Sequence, residues 1–204
     1  TFGFKKSNFW GLRFRYKFFF LWFLRFIVAS MLYFNLGIDI VNVRFFDVFN
    51  LGYLYIPFAA FVIVSFANAV NISDGLDGLA AGWLIICLIS FLIISSSILD
   101  TTLSVFIGLW IGALIAFLYF NIWPARIWLG DVGALSFGAT LAVIGLMLGK
   151  PLALPVIGGI FVVEVGSSLI QLLSKKLRHK RVFDVAPIHL WLQYKEWEAP
   201  KIVF

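Results

Sequence analysis

Residues 79–99 read LAAGWLIICLISFLIISSSIL, without a single charged side chain. The hydrocarbon core of a bilayer is about 30 Å thick, and about 20 apolar residues in a helix cross it. Backbone groups in lipid must be satisfied within the segment, so such a run reads as a helix. Working outward, five more stretches of this kind appear: 18–37, 52–70, 103–120, 132–148 and 152–173. The charged residues inside the six are Arg25 and Glu164. All six are too long for barrel strands. The expectation is an all-α, polytopic integral membrane protein with about six transmembrane helices, forming one transmembrane domain over residues 1–204.

The rest of the composition agrees. The 204 residues are 62% hydrophobic and 13% charged, against about 45–50% and about 25% in ordinary globular chains. Twenty-four Phe and eight Trp are costly to expose to water and ordinary against lipid. A soluble enzyme, a disordered chain and a disulfide scaffold are excluded; the single Cys87 has no partner for an internal bridge. The net charge is +6, but the basic residues have no soluble domain to sit on, so nucleic acid is not expected as a partner. The opening TFGFKK is neither an initiator Met nor the start of a signal peptide, and a piece beginning inside a loop is expected.

Orientation follows from the connecting segments. With the N-terminal one cytoplasmic, that side carries Lys5, Lys6, Arg13, Arg15, Lys17, Arg126, Lys175, Lys176, Arg178, Lys180, Arg181, Lys195 and Lys201. The outer loops carry Arg44 and Lys150. The positive-inside rule then sets the topology. It also puts all three patterned polar segments on the cytoplasmic face: NAVNISDGLDG (68–78), FNIWPARIWLGD (120–131) and RHKRVFDVAPIHLWLQ (178–193). A chemical site is therefore expected there, between helices.

Asn68, Asn71 and Asp74 fall on one helical face if the helix runs that far, and Asp77 continues the three-residue spacing. Gly75 and Gly78 let the backbone turn and approach a ligand. Such oxygen donors suit Mg²⁺, which prefers one or two carboxylates plus substrate phosphate. A second carboxylate, Asp131, follows a segment broken by Pro124 and Gly130. A lone Asp–Gly is more often a turn, and a lone Asn a cap; two such segments on one face favour a site. Glu164 reads equally as an intramembrane functional acid or as a paired packing residue. Arg25 is expected to snorkel towards the cytoplasmic surface, and KKLRHKR to hold its helix against anionic head groups. His189 alone would be a satisfied interfacial histidine, and Trp128 and Trp191 belt aromatics.

NAVNISDGLDGLA, FNIWPARIWLGDVGALSFG and APIHLWLQYKEWEAPKIV, in that order and with GLRFRYK near the start, resemble the polyprenyl-phosphate N-acetylhexosamine-1-phosphate transferases. SDGLDGLA, GDVG and the later W-x-x-P-K are similar to the branch acting on UDP-N-acetylmuramoyl-pentapeptide. The resemblance covers essentially the whole chain. It implies a bacterial plasma-membrane enzyme of peptidoglycan synthesis. Phospho-N-acetylmuramoyl-pentapeptide would pass from UDP to undecaprenyl phosphate, giving lipid I and UMP, with Mg²⁺ as cofactor. The bilayer is a partner, and the resemblance also admits a homodimer.

By the same resemblance, Asp131 binds magnesium, with Asn71 and Asn68 beside it, and Asp74 lines the same polar pocket. Asp74, Asp131, His189 and Lys17 are then the catalytic group, Lys17 standing near the phosphates. Gly75, Leu76 and Asp77 match positions that contact uracil, Trp128 replaces the aromatic that stacks on it, and Asn71, Asn121 and Gln171 complete the substrate side. The departures are specific. The family's upstream aspartate pair precedes the start of this chain, and its last helix follows the end. Its run of three histidines is here His189, Leu190, Trp191, and Ala134 stands where Ser is usual. Two rival readings remain: a sibling transferase using UDP-N-acetylglucosamine, and a small membrane transporter subunit, which would place its site near the midplane within inverted repeats.

Overall fold

The computed structural model describes residues 14–42 and 48–203; of residues 14–18, 20 and 48 only the backbone is described. The order is α1 (Phe14–Phe34), β1 (Ile40–Asn42), β2 (Val48–Asn50), a 3-10 turn (Gly52–Leu54), α2 (Tyr55–Ser73), α3 (Leu79–Ser97), α4 (Thr101–Asn121) and α5 (Gly130–Met147). After these come α6 (Ala153–Ile157), α7 (Gly159–Arg178), α8 (Ile188–Tyr194) and α9 (Ala199–Val203). The all-α expectation holds. Among the described residues, four runs are long and apolar enough to cross a membrane: Gly52–Ser73, Leu79–Ser97, Thr101–Asn121 and Gly130–Met147. The apolar part of α1, Leu21–Phe34, is shorter.

The sixth expected span is not one helix. The 152–173 stretch breaks between Ile157 and Gly159. Pro155 withholds a backbone donor inside α6, and Gly158 admits a close neighbour: a methyl group there would lie 2.9 Å from the Leu154 carbonyl and from Cε1 of Phe66. The helix that follows, α7, buries one stripe, Phe161, Glu164, Ser167 and Gln171, and ends in Lys175, Lys176 and Arg178. The segment between α1 and α2 holds the antiparallel hairpin β1–β2, with Val41 opposite Phe49. Asn42 N–H fastens it to Gly149 beyond α5 (3.2 Å).

Packing centres on α2, which is flanked by α5, α1 and α7, while α3 pairs with α4. The core is made of small and branched residues such as Ala59, Ala60, Ile63, Leu84, Leu141 and Ile144. Arg25 does not snorkel. It is 7% exposed, and its Nε has no hydrogen-bond partner among the described residues. It lines a groove of about 740 Å³ bounded by α1, α5 and the first turn of α4. The helix-rich fold leaves the connecting segments 74–78 and 121–129 to meet at one end.

Candidate active site

The site starts where α2 stops. The helix ends at Ser73, one residue before the expected face would include Asp74, and Asp74 caps it at φ −79°, ψ 50°. Asn68 and Asn71 remain on the helix. Asn68, exposed on α2, donates its amide N–H to the Val64 carbonyl (2.8 Å), a bond that does not engage its Oδ1, the atom a cation needs. Gly78 then starts α3 with φ +83°, a left-handed backbone that other residues rarely adopt.

A second segment is laced to this turn. Asp77 accepts from the Ala125 N–H (3.0 Å) and from the Trp128 indole N–H (3.1 Å). Asn121 accepts from the Gly78 N–H (3.1 Å) and donates to the Ile127 carbonyl (2.9 Å). The Gly130 N–H lies close enough to the Asp74 carboxylate to favour its ionised form. These bonds draw two stretches about fifty residues apart into one surface.

Asp74, Asp77 and Asp131 consequently share a field. Burial pushes the Asp74 carboxyl above its ordinary range; the Gly130 N–H opposes this, and the charges of Asp131 and Asp77 add to it. Asp131 is exposed, in the first turn of α5, where the helix N-terminus favours a negative charge. Among the described residues no three His, Cys, Asp or Glu side chains come close enough to hold a metal by themselves. The donor set still suits a hard cation shared with phosphate: gathered carboxylates, one of them reluctant to ionise.

The other expected residues come from α7, α1, α8 and the segment after α4. Gln171 is buried on α7; its Oε1 accepts from the N–H groups of Val182 and Phe183 (both 3.0 Å) and its Nε2 donates to the Phe183 carbonyl (2.7 Å). It organises the turn after α7 and has no tie to the Asp77 loop. Lys17 lies in the first turn of α1, with its side chain outside the described residues. His189 is brought in from α8 and packs against Gly75. Trp128 is 68% exposed and held edge-on by Asp77.

A cavity of about 550 Å³ opens beside the loop, lined by Gly75, Leu76, Asp77, Trp123, Gln193 and Pro200 among others. That volume fits a small ligand. Gly75, Leu76 and Asp77 were expected here; Trp123, Gln193 and Glu198, which also reaches it, were not. The only signal for Trp123 was an aromatic next to Pro124.

Comparison with known proteins bears on the whole of this surface. The model of the glycosyl transferase family 4 matches residues 6–149. The phospho-N-acetylmuramoyl-pentapeptide-transferase of Caldanaerobacter subterraneus subsp. tengcongensis is 38% identical over 201 residues, covering 98% of this chain and 63% of its own length. The enzyme of that name from Thermodesulfovibrio yellowstonii is 38% identical over 219 residues, with 97% and 61% covered. That from Acetivibrio thermocellus is 43% identical over 155 residues, with 76% and 47% covered. The chain thus spans 47–63% of the length of these relatives.

Proposed function

The chain belongs to the glycosyl transferase family 4, and from that premise we propose that it is the site-bearing part of a phospho-N-acetylmuramoyl-pentapeptide transferase in a bacterial membrane. In the reaction, a phosphate oxygen of undecaprenyl phosphate attacks the sugar-bearing phosphorus of UDP-N-acetylmuramoyl-pentapeptide. The bond to the UMP oxygen breaks, giving lipid I and UMP. The observation that carries this reading is the lacing of the Asp74–Gly78 turn to the Ala125–Gly130 segment, which gathers carboxylates and backbone donors on one rim. The names of the relatives supply the substrate class.

Phosphoryl transfer asks for alignment and charge neutralisation more than for covalent help. Asp131 and its neighbour Asp74, with Asn71 and Asn68 carried over from the resemblance, would hold Mg²⁺, and the ion when bound would neutralise the diphosphate oxygens. Leu76, Asp77 and the aromatic pair Trp123 and Trp128 orient the nucleotide. Asn121 keeps the two segments in register and so fixes the distance from nucleotide to carboxylates. The distribution of basic residues supports a cytoplasmic face for this rim. Lys17 is assigned to the phosphates, and pairing with a second copy is carried over from the resemblance alone.

Membranes containing the full-length protein, given labelled UDP-N-acetylmuramoyl-pentapeptide or UDP-N-acetylglucosamine, test the proposal. Label passing into an undecaprenyl lipid from the first donor, with release of UMP, is expected. Transfer from the second donor alone would establish the sibling activity, and transfer from neither would sink both.

A further inference from the structure

One buried ionisable pair has no part in that chemistry. Glu164 lies in the second turn of α7 and His189 in the first turn of α8, and Nδ1 of the imidazole is 2.8 Å from Oε2 of the carboxylate. Each residue is 2% exposed. Groups withdrawn this far from water persist because each satisfies the other. A carboxylate oxygen accepts and a ring N–H donates, so the contact is met by a hydrogen on Nδ1 of His189.

The other edge of the ring rests on Gly75. A methyl group at Gly75 would overlap Nε2 of His189 and lie 3.0 and 3.1 Å from Cε1 and Cδ2. The imidazole therefore occupies the space a side chain at position 75 would need. Gly75 is the residue directly after Asp74, and its outer side is open. The Asp77 end of the same turn is fastened independently, by Ala125 and Trp128.

We propose that Glu164, acting through His189, is a positioning residue: the pair is a strut that braces the Asp74–Gly75 turn from behind, through the hole left by the missing side chain of Gly75. The role rests on the transferase reading for what Asp74 does. It departs from the resemblance, which counts His189 among catalytic groups. A ring 2% exposed and closed off by Gly75 offers no atom to a ligand on the open side. Losing the strut loosens Asp74 before Asp77, so turnover falls while nucleotide binding is kept.

The test uses the full-length protein in detergent. Histidine-selective ¹⁵N NMR, with His189 assigned by the signals lost in His189→Gln, should show the Nδ1–H form. Glu164→Gln, whose amide oxygen still accepts, should retain it; Glu164→Leu should release it to a mixture. In kinetics, Glu164→Leu should lower kcat about tenfold with KM for the UDP-sugar within about twofold, and Glu164→Gln should restore most of the loss. Gly75→Ala should lower kcat about tenfold in the presence of His189 but less than about twofold in a His189→Ala background, because the ring it collides with is gone. The thermal midpoint, read over the same four proteins, should show the same coupling if turnover is too slow to measure. Additive effects of Gly75→Ala and His189→Ala, or an Nδ1–H signal unchanged by Glu164→Leu, would overturn the strut. Correct NMR and coupling in the thermal midpoint, with no transfer from any UDP-sugar, would leave the strut standing and remove the transferase reading instead.

Discussion

α2 and α5 meet twice, and the two meetings are built on different principles. Within the apolar span, Gly138 of α5 lies so close to α2 that a methyl group there would be 2.6 Å from the Phe66 carbonyl oxygen and 2.7 Å from Cα of Ala67. At the polar end, the same helices are joined by their extensions, through bonds from Ala125 and Trp128 to Asp77. Lipid tails are as apolar as Leu, so nothing is gained there by excluding them, and a seam in the span depends on close approach of small residues. At the rim, water competes for each hydrogen bond, and each is worth only about 0.5–1.5 kcal/mol net. The span therefore sets the spacing of the two loops, and the rim aims their carboxylates.

The largest effect should come from attacking the span. Gly138→Val drives two methyl groups into backbone atoms that cannot rotate away, at a cost of about 3 kcal/mol. Unfolding in detergent, followed by helical signal, should show that loss, with Gly138→Ala intermediate. An unchanged midpoint for Gly138→Val would mean that the two helices can separate, and that spacing is not set in the span.

How legible these two regions were from sequence differs for the same reason. The spans could be read because a charge-free apolar run carries its own evidence, as in 79–99. The hairpin could not, since strands of three residues are too short for an alternating pattern. The break at Gly158 was written in Pro155 and the glycine pair, yet hydropathy alone runs straight across it. At the rim, Asp74, Asp77 and Asp131 stood out as rare acids beside glycines. Their partners did not, because the Asp77–Trp128 and Glu164–His189 bonds join residues 51 and 25 positions apart. Gln171 is matched to the substrate side by resemblance, and its bonds with the backbone of Val182 and Phe183 are a further role that only the tertiary fold reveals.

A smaller effect should appear at the rim when pH is varied. Asp74's carboxyl is raised above its ordinary value, so ionising it costs more in the folded protein than in the unfolded chain. Its contribution to stability is full below the ordinary value and is lost as pH rises through the raised one. Metal-free protein should therefore lose a few degrees of thermal midpoint relative to Asp74→Asn as pH is raised across that window. Saturating MgCl₂ should close the gap at the upper end, because a bound cation stabilises the ionised form, by about 2.7 kcal/mol at a hundredfold excess over Kd. Parallel pH curves for the two proteins would show that Asp74 is not held in the shared field of Asp77 and Asp131.

The smallest expected effect sharpens the rim itself, by separating what Trp128 does as a ring from what it does as a donor. If the indole only stacks on the nucleotide base, Trp128→Phe should leave KM for the UDP-sugar near that of the parent, since base–aromatic stacking tolerates the change of ring. The bond from its N–H to Asp77 argues otherwise. Phe cannot donate, Asp77 would keep only the Ala125 N–H, and a bond of about 0.5–1.5 kcal/mol would be lost. KM should therefore rise by about two- to tenfold in Trp128→Phe, and further in Trp128→Ala, which loses stacking as well. Trp123, which lines the cavity beside Asp77 without such a bond, is the control. Trp123→Phe keeps the ring and disturbs no tie to Asp77, so its KM should stay near the parent's. Equal KM values for the two Phe variants would reduce the indole–carboxylate bond to packing and leave the aim of Asp77 to the Ala125 N–H.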